Sequence, residues 1–203
     1  MTKILFNEES HTYHVDGVLT PSVTTILAAT KFKDKYKGIP KGVLANAATF
    51  GTNVHRAIEF DDPEGLGLRE MLAYEQWLKV QKKHGIVPVA KEQKVHYGTL
   101  FVGTFDMIAI IEGEKWLLDI KTTAQLDKEY IGYQESFYET AYLDMYPDED
   151  EFDRFGVIWL PKGKIGKLIE IEPVDNEELQ KILDEYRELS DEVEESQFEF
   201  SAN

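Results

Sequence analysis

Residues 87–121 constrain the fold most, because three β-rich runs follow one another there with almost nothing between them. VPVAKEQKVHY, LFVGTFDMIAIIE and KWLLDIKT carry the branched and aromatic side chains that suit a pleated surface, with Glu112-Gly113 as a turn between the last two. On either side the period becomes helical. Leu44, Ala47, Ala48, Gly51, Val54, Ala57 and Ile58 mark a helix over 41–60, DDPEGLG breaks it, and a second runs from Leu68 to about His84. A further helix is predicted from about Asp127 to Met145, then a hairpin from RFGVIWLP through a Lys162-Gly163 turn into KIGKLIEIEP. Leu179, Ile182, Leu183, Tyr186, Leu189 and Val193 form the stripe of a closing amphipathic helix. The N-terminus reads as two short strands, the second entering an Asp16-Gly17 turn, followed by a helix capped by Ser22 or Thr20. The lysine-rich stretch up to Pro40 reads as a short helix or a mobile loop. This order predicts an α/β fold with a central mixed β-sheet flanked by helices.

At 203 residues with 42% apolar side chains, the chain can bury a core and is too hydrophobic for disorder. No apolar run has the length of a membrane span, and MTKILFNEES lacks a signal-peptide pattern, so a cytoplasmic location is expected (host cytoplasm if the source is viral). With no cysteine, disulfides, thiol catalysis and iron–sulfur clusters are excluded. The net charge of −16 argues against indiscriminate binding to polyanions, but it is unevenly spread. Residues 148–203 hold 18 acidic against 6 basic side chains, most simply a solvated helix face. Basic clusters occur elsewhere, at Lys31, Lys33, Lys35, Lys37 and Lys41, and at Lys79, Lys82 and Lys83.

Two carboxylates sit where a strand should be apolar. Alternation places Asp106 on a face with Val102, Thr104, Ile108 and Ile110. In the next run Asp119 and Lys121 share a face with Leu117, while Trp116, Leu118 and Ile120 share the other. A bare carboxylate in such a strand costs several kcal/mol, to order of magnitude, unless a cation, a metal or a hydrogen bond compensates. In a hairpin both carboxylates converge, and hard oxygen donors suit Mg²⁺ or Mn²⁺. An isolated D-x-K is commonly an ion pair on a solvated face; the second strand-centre aspartate is what weighs against that reading.

Gly103-x-x-Asp106, then Asp119-x-Lys121, then Gln134-x-x-x-Tyr138 resembles the RecB-like branch of the PD-(D/E)XK nucleases. GTNVHRAIE, with Gly51 and His55, resembles the helical G-x-x-x-H motif of that branch. HTYHVDGVLTPSVTTIL is similar to the start of phage exonucleases and of the mitochondrial genome-maintenance exonuclease, so the resemblance spans roughly residues 7–145.

The resemblance implies one nuclease domain over 1–203 with a restriction-endonuclease-like core, residues 1–40 and 170–203 being appendages. It implies Asp106, Asp119 and Lys121 as catalytic residues, with metal held by His55, Asp106, Asp119 and the backbone carbonyl of Ile120. Glu92 matches an accessory acidic position, and Gln134 and Tyr138, one turn apart, lie beside the DNA. Thr122 and Ser22 are further candidate DNA contacts, Ser22 being equally a candidate helix cap. Taken alone, His55 would ordinarily be packed or surface-exposed, and Tyr138 core. As a ligand, His55 must be neutral, so metal affinity is expected to fall below about pH 6.5.

The expected activity is Mg²⁺- or Mn²⁺-dependent hydrolysis of DNA phosphodiesters by an exonuclease of phage recombination or replication. A single-strand annealing or binding protein is a candidate partner. The alternatives are a structure-specific endonuclease and a catalytically silent DNA-binding recombination module.

Overall fold

The computed structural model describes residues 2–7 and 12–201, with side chains as far as residue 192. Its main sheet has five strands in sequence order: β4 (Val87–Tyr97), β5 (Phe101–Ile111), β6 (Glu114–Lys121), β7 (Arg154–Trp159) and β8 (Lys167–Ile171). β4, β5 and β6 form an antiparallel meander, β6 and β7 are parallel, and β7 and β8 are antiparallel. Parallel neighbours need a crossover, and α4 (Lys128–Met145) supplies it, capped by Asp127 accepting the Tyr130 N–H at 3.1 Å.

Helices cover both faces. α1 (Val23–Ala29), α4 and α5 (Asn176–Ser201) enclose one core with Ile26, Leu27, Phe105, Ile108, Phe137 and Leu179. α2 (Lys41–Phe60) and α3 (Leu68–His84) enclose the other with Val54, Ala57, Trp77, Met107, Leu118 and Ile120. A sheet buried on both faces has no solvated side, which explains the near-continuous apolar run in β5. Of the α5 stripe, Leu179 and Ile182 are buried, Leu189 is largely exposed, and Val193 lies outside the described side chains. Among the described residues no helix is long and apolar enough to cross a membrane.

Three local expectations are corrected. The N-terminal sheet has three strands, not two: β1 (Ile4–Asn7), β2 (Thr12–Val15) and β3 (Val18–Thr20). β3 follows the Asp16-Gly17 turn, and its exposed Val18 and Leu19 give it no burial pattern to read. The lysine-rich stretch is neither a helix nor a free loop but a series of hydrogen-bonded turns. It is tied to α4 by Lys31 with Glu129 at 3.0 Å and Lys35 with Asp127 at 2.5 Å.

The third correction concerns β5. Phe105 and Ile108 pack in one core and Met107 and Ala109 in the other, so strict alternation fails around Asp106. Asp106 therefore does not share a face with Ile108. The β5–β6 pairing ends at Met107 and Leu118. Beyond it the Asp106 carboxylate accepts the Ile120 N–H at 2.6 Å, taking the place of a backbone acceptor. Opposite, Glu92 in β4 adopts a left-handed φ of 48°, uncommon for a non-glycine residue in a strand.

Candidate functional site

A cavity of about 590 Å³ lies where β5 and β6 diverge. Its floor carries Asp106 and Thr104 from β5 and Asp119 and Lys121 from β6. Thr52 and His55 of α2, Gln134 and Tyr138 of α4, and Ser22 to Thr25 at the start of α1 wall it. Phe6 and Tyr13 of the N-terminal sheet complete the wall, their rings 4.5 Å apart. Residues far apart in sequence are thus brought together by the sheet and three helices.

Two charge centres meet here, the first shared with a neighbouring cavity lined by His55, Glu59 and Glu92. In the first, His55 Nδ1 lies 3.2 Å from Asp106 Oδ1 and 3.9 Å from Glu92 Oε1. One ligand atom from each of His55, Glu92 and Asp106 can be chosen so that all lie within 4.8 Å of one another. In the second, the Lys121 ammonium donates to Asp119 Oδ1 at 2.6 Å and to Gln134 Oε1 at 3.2 Å. Gln134 in turn donates to the Tyr138 hydroxyl at 2.8 Å, so the one-turn spacing fixes the orientation of both. Asp119 Oδ2 is buried without a hydrogen-bond partner.

Burial and mutual repulsion set the protonation of these groups. Burial alone would lower His55, but the Asp106 carboxylate overrides it and raises the imidazole to about 9. Asp106 is opposed by burial, yet His55, Lys121 and the Ile120 N–H hold it below the usual carboxylate range. Burial and then repulsion from Asp106 push Glu92 up to about 7. Burial lifts Asp119 to about 6 against the pull of Lys121. Burial opposes the charge on Lys121, but Asp119 and Asp106 more than offset this and raise it above the usual lysine range.

An imidazole and three carboxylates, one of them with an unpartnered buried oxygen, are a donor set that fits a divalent cation. Hard oxygen donors with one imidazole suit Mg²⁺ or Mn²⁺. Burial, with repulsion from Asp106 added to it, accounts for the raised Glu92 and Asp119. Glu92, expected as an accessory acid, is one of the three residues whose ligand atoms lie close enough to hold one ion. Ile120 reaches the site through its N–H bond to Asp106.

Other candidates are placed less simply. Ser22 caps α1, accepting the Thr25 N–H at 3.1 Å, and also lines the cavity. Thr122 lies beside α2, its hydroxyl 3.4 Å from where a Cβ on Gly51 would sit. Sequence reasoning missed Phe6, Tyr13, Thr52 and Thr104 as lining residues. It also missed Glu135, next to Gln134, whose two carboxyl oxygens are buried without a hydrogen-bond partner. Burial, then the charge of Asp119, pushes Glu135 well above the carboxylate range. Its one sequence signal is a charge within the aromatic run from Tyr133 to Tyr138.

A sequence profile of the PD-(D/E)XK nuclease superfamily matches residues 66–203. The chain belongs to that superfamily. The matched segment holds Glu92, Asp106, Asp119, Lys121, Gln134 and Tyr138, while His55 and Ser22 precede it. The five-stranded mixed sheet with helices on both faces is consistent with the core of this superfamily. No curated protein sequence matches the chain. Among solved structures it is similar to that of SSO0001, at 16% identity over 84% of this chain and 75% of the other, with a TM-score of 0.46.

Gly103 fixes the position of the Gln134–Tyr138 pair. A Cβ there would meet the Tyr138 ring, with Cδ1 at 2.9 Å and Cε1 nearer still. Gly103→Ala is expected to cost about 1–3 kcal/mol through overpacking and to lower the melting temperature by several degrees. Activity should fall further than stability explains, because Tyr138 moves and Gln134 loses its orientation. Thermal denaturation paired with a cleavage assay below the melting range checks both.

Proposed function

We propose that this nuclease is a metal-dependent deoxyribonuclease of the RecB-like branch that degrades DNA from an end, as in phage recombination or replication. The observation that carries this is the cavity in which His55 and Asp106, with Glu92 close enough to share an ion with them, stand beside the Asp119–Lys121–Gln134 chain. His55, Asp106 and Asp119, with Glu92 and the Ile120 carbonyl, would hold Mg²⁺ or Mn²⁺. When bound, the cation supplies Lewis acidity and positive charge against the scissile phosphate.

The protein's own groups do the rest. Lys121 is kept protonated by two carboxylates, so it serves as a fixed positive charge toward a phosphate oxygen and a donor to an approaching water. Asp119 holds that ammonium in place, and Gln134, braced by Tyr138, limits its swing. Asp106 positions His55 and, through the Ile120 N–H, fixes the end of β6. The paired Phe6 and Tyr13 rings offer the cavity a stacking surface for an unpaired base, which supports a strand entering by its end.

Covalently closed single-stranded circles and linear strands of the same sequence separate the readings. With Mg²⁺ the linear form is expected to be reduced to short products while circles persist. Nicking of circles at a comparable rate would replace the exonuclease with an endonuclease. Intact linear and circular DNA with either metal would leave a silent DNA-binding module.

A further inference from the structure

A second concavity, about 650 Å³, lies between the start of α3 and the β7–β8 loop. Arg69, Lys162 and Lys164 line it, with Leu72, Pro161 and Ile165 as its apolar wall. Leu72 is 50% and Ile165 76% exposed, so apolar surface faces solvent beside three cations. Among the described residues none of the three cations has a carboxylate within 4.0 Å, and the groove brings all three together. In a chain of net charge −16, such a cluster has a partner of opposite charge outside the protein as its natural complement.

The loop is also held in place. The Leu160 N–H donates to the Lys121 carbonyl at 2.7 Å, and the Gly166 N–H donates to the Gln76 side chain at 3.2 Å. Lys162 lies over the Phe50 ring at 4.2 Å, one residue before Gly51, and the Trp159 indole donates to the Thr123 carbonyl at 2.8 Å. One residue separates Leu160 from Lys162, whose Cα therefore sits no more than roughly 12 Å from the Lys121 carbonyl. The groove is thus fixed beside the C-terminal end of β6, the strand that carries Asp119 and Lys121.

We propose that this groove binds the sugar–phosphate backbone of the single strand whose end occupies the catalytic cavity. Arg69, Lys162 and Lys164 meet successive phosphates, and Leu72, Pro161 and Ile165 pack against sugars and unpaired bases. The proposal rests on the nuclease reading for which strand is held, but binding can be measured without catalysis. An acidic protein segment could satisfy the three charges, yet it would not need the apolar wall between them.

The test compares wild type with Arg69→Ala/Lys162→Ala/Lys164→Ala, all solvent-exposed positions, by fluorescence anisotropy in EDTA. The probes are a labelled 20-nucleotide oligo(dT) and a trinucleotide that fills only the catalytic cavity. The 20-mer is expected to bind the variant at least about tenfold more weakly at low salt, with a salt slope shallower by about 2, as three lost single-strand phosphate contacts require. Trinucleotide affinity and melting temperature should match wild type. Wild-type affinity and slope for the 20-mer would overturn the proposal and leave the groove to an acidic protein partner. Equal losses for both probes would also overturn it, since the effect would then be on the cavity. Failure of the wild type to cleave DNA with metal, alongside the predicted binding difference, would instead count against the nuclease reading alone.

Discussion

Asp106→Asn is expected to reduce metal-dependent cleavage at least about a thousandfold, roughly 4 kcal/mol of transition-state stabilisation, while the protein stays folded. The amide keeps an oxygen to accept the Ile120 N–H, so the end of β6 remains tied to β5. What is lost is the charge that pairs with His55 and completes the donor set. Asp106→Ala separates the two roles. It should be equally inactive but also leave the Ile120 N–H unsatisfied, costing about 1–3 kcal/mol and several degrees of melting temperature. Steady-state cleavage and thermal melts of both variants check this. An active Asp106→Asn would remove Asp106 from the chemistry and leave it a structural role.

The second large effect is a steep rise in metal affinity with pH, centred well above the 6.5 of a free imidazole. A ligating His55 must be neutral, yet in the metal-free protein Asp106 keeps it protonated up to about pH 9. Glu92, raised to about 7, and Asp119, raised to about 6, must also shed protons to bind. Metal and protons therefore compete, and apparent affinity should rise about tenfold per pH unit from 7 to 9 and more steeply below 7. Stability of the metal-free protein moves the opposite way. His55, with its folded pKa raised, contributes stability that is complete below 6.5 and lost as pH passes 9. Glu92, a carboxylic acid with a raised pKa, imposes a cost that develops above about 4.5 and is complete above 7. Mn²⁺ titrations by calorimetry in buffers of different ionisation enthalpy read the affinity and the protons released. Affinity independent of pH between 6 and 9, or no proton release, would contradict the assignment of His55 as a ligand.

Much of this arrangement is legible in the residues themselves. α2 and α3 were readable because their apolar periods are strong and DDPEGLG separates them. Asp119 and Lys121 were placed on a common face because β6 keeps strict alternation, as the packing of Trp116, Leu118 and Ile120 on the other side confirms. β5 does not keep it, because a side-chain carboxylate replaces a ladder acceptor at Asp106, and no periodicity records that exchange. β3 was unreadable because three mostly exposed residues carry no pattern. Phe6 and Tyr13 enter the cavity, and Arg69 lines one groove with Lys162, only through tertiary placement of segments distant in the chain. Glu135 is hidden for another reason: its burial depends on how α4 seats against β6, not on its neighbours in sequence.

Anomalous diffraction from crystals soaked in Mn²⁺ tests the metal centre most directly. A peak is expected between α2, β4 and β5, about 2.0–2.3 Å from a His55 nitrogen and an Asp106 oxygen, with Asp119 or Glu92 completing the set. His55 should then have exchanged its ion pair with Asp106 for the metal. A cavity without a peak at saturating Mn²⁺, with His55 still paired to Asp106, would contradict a metal-dependent nuclease site at these residues.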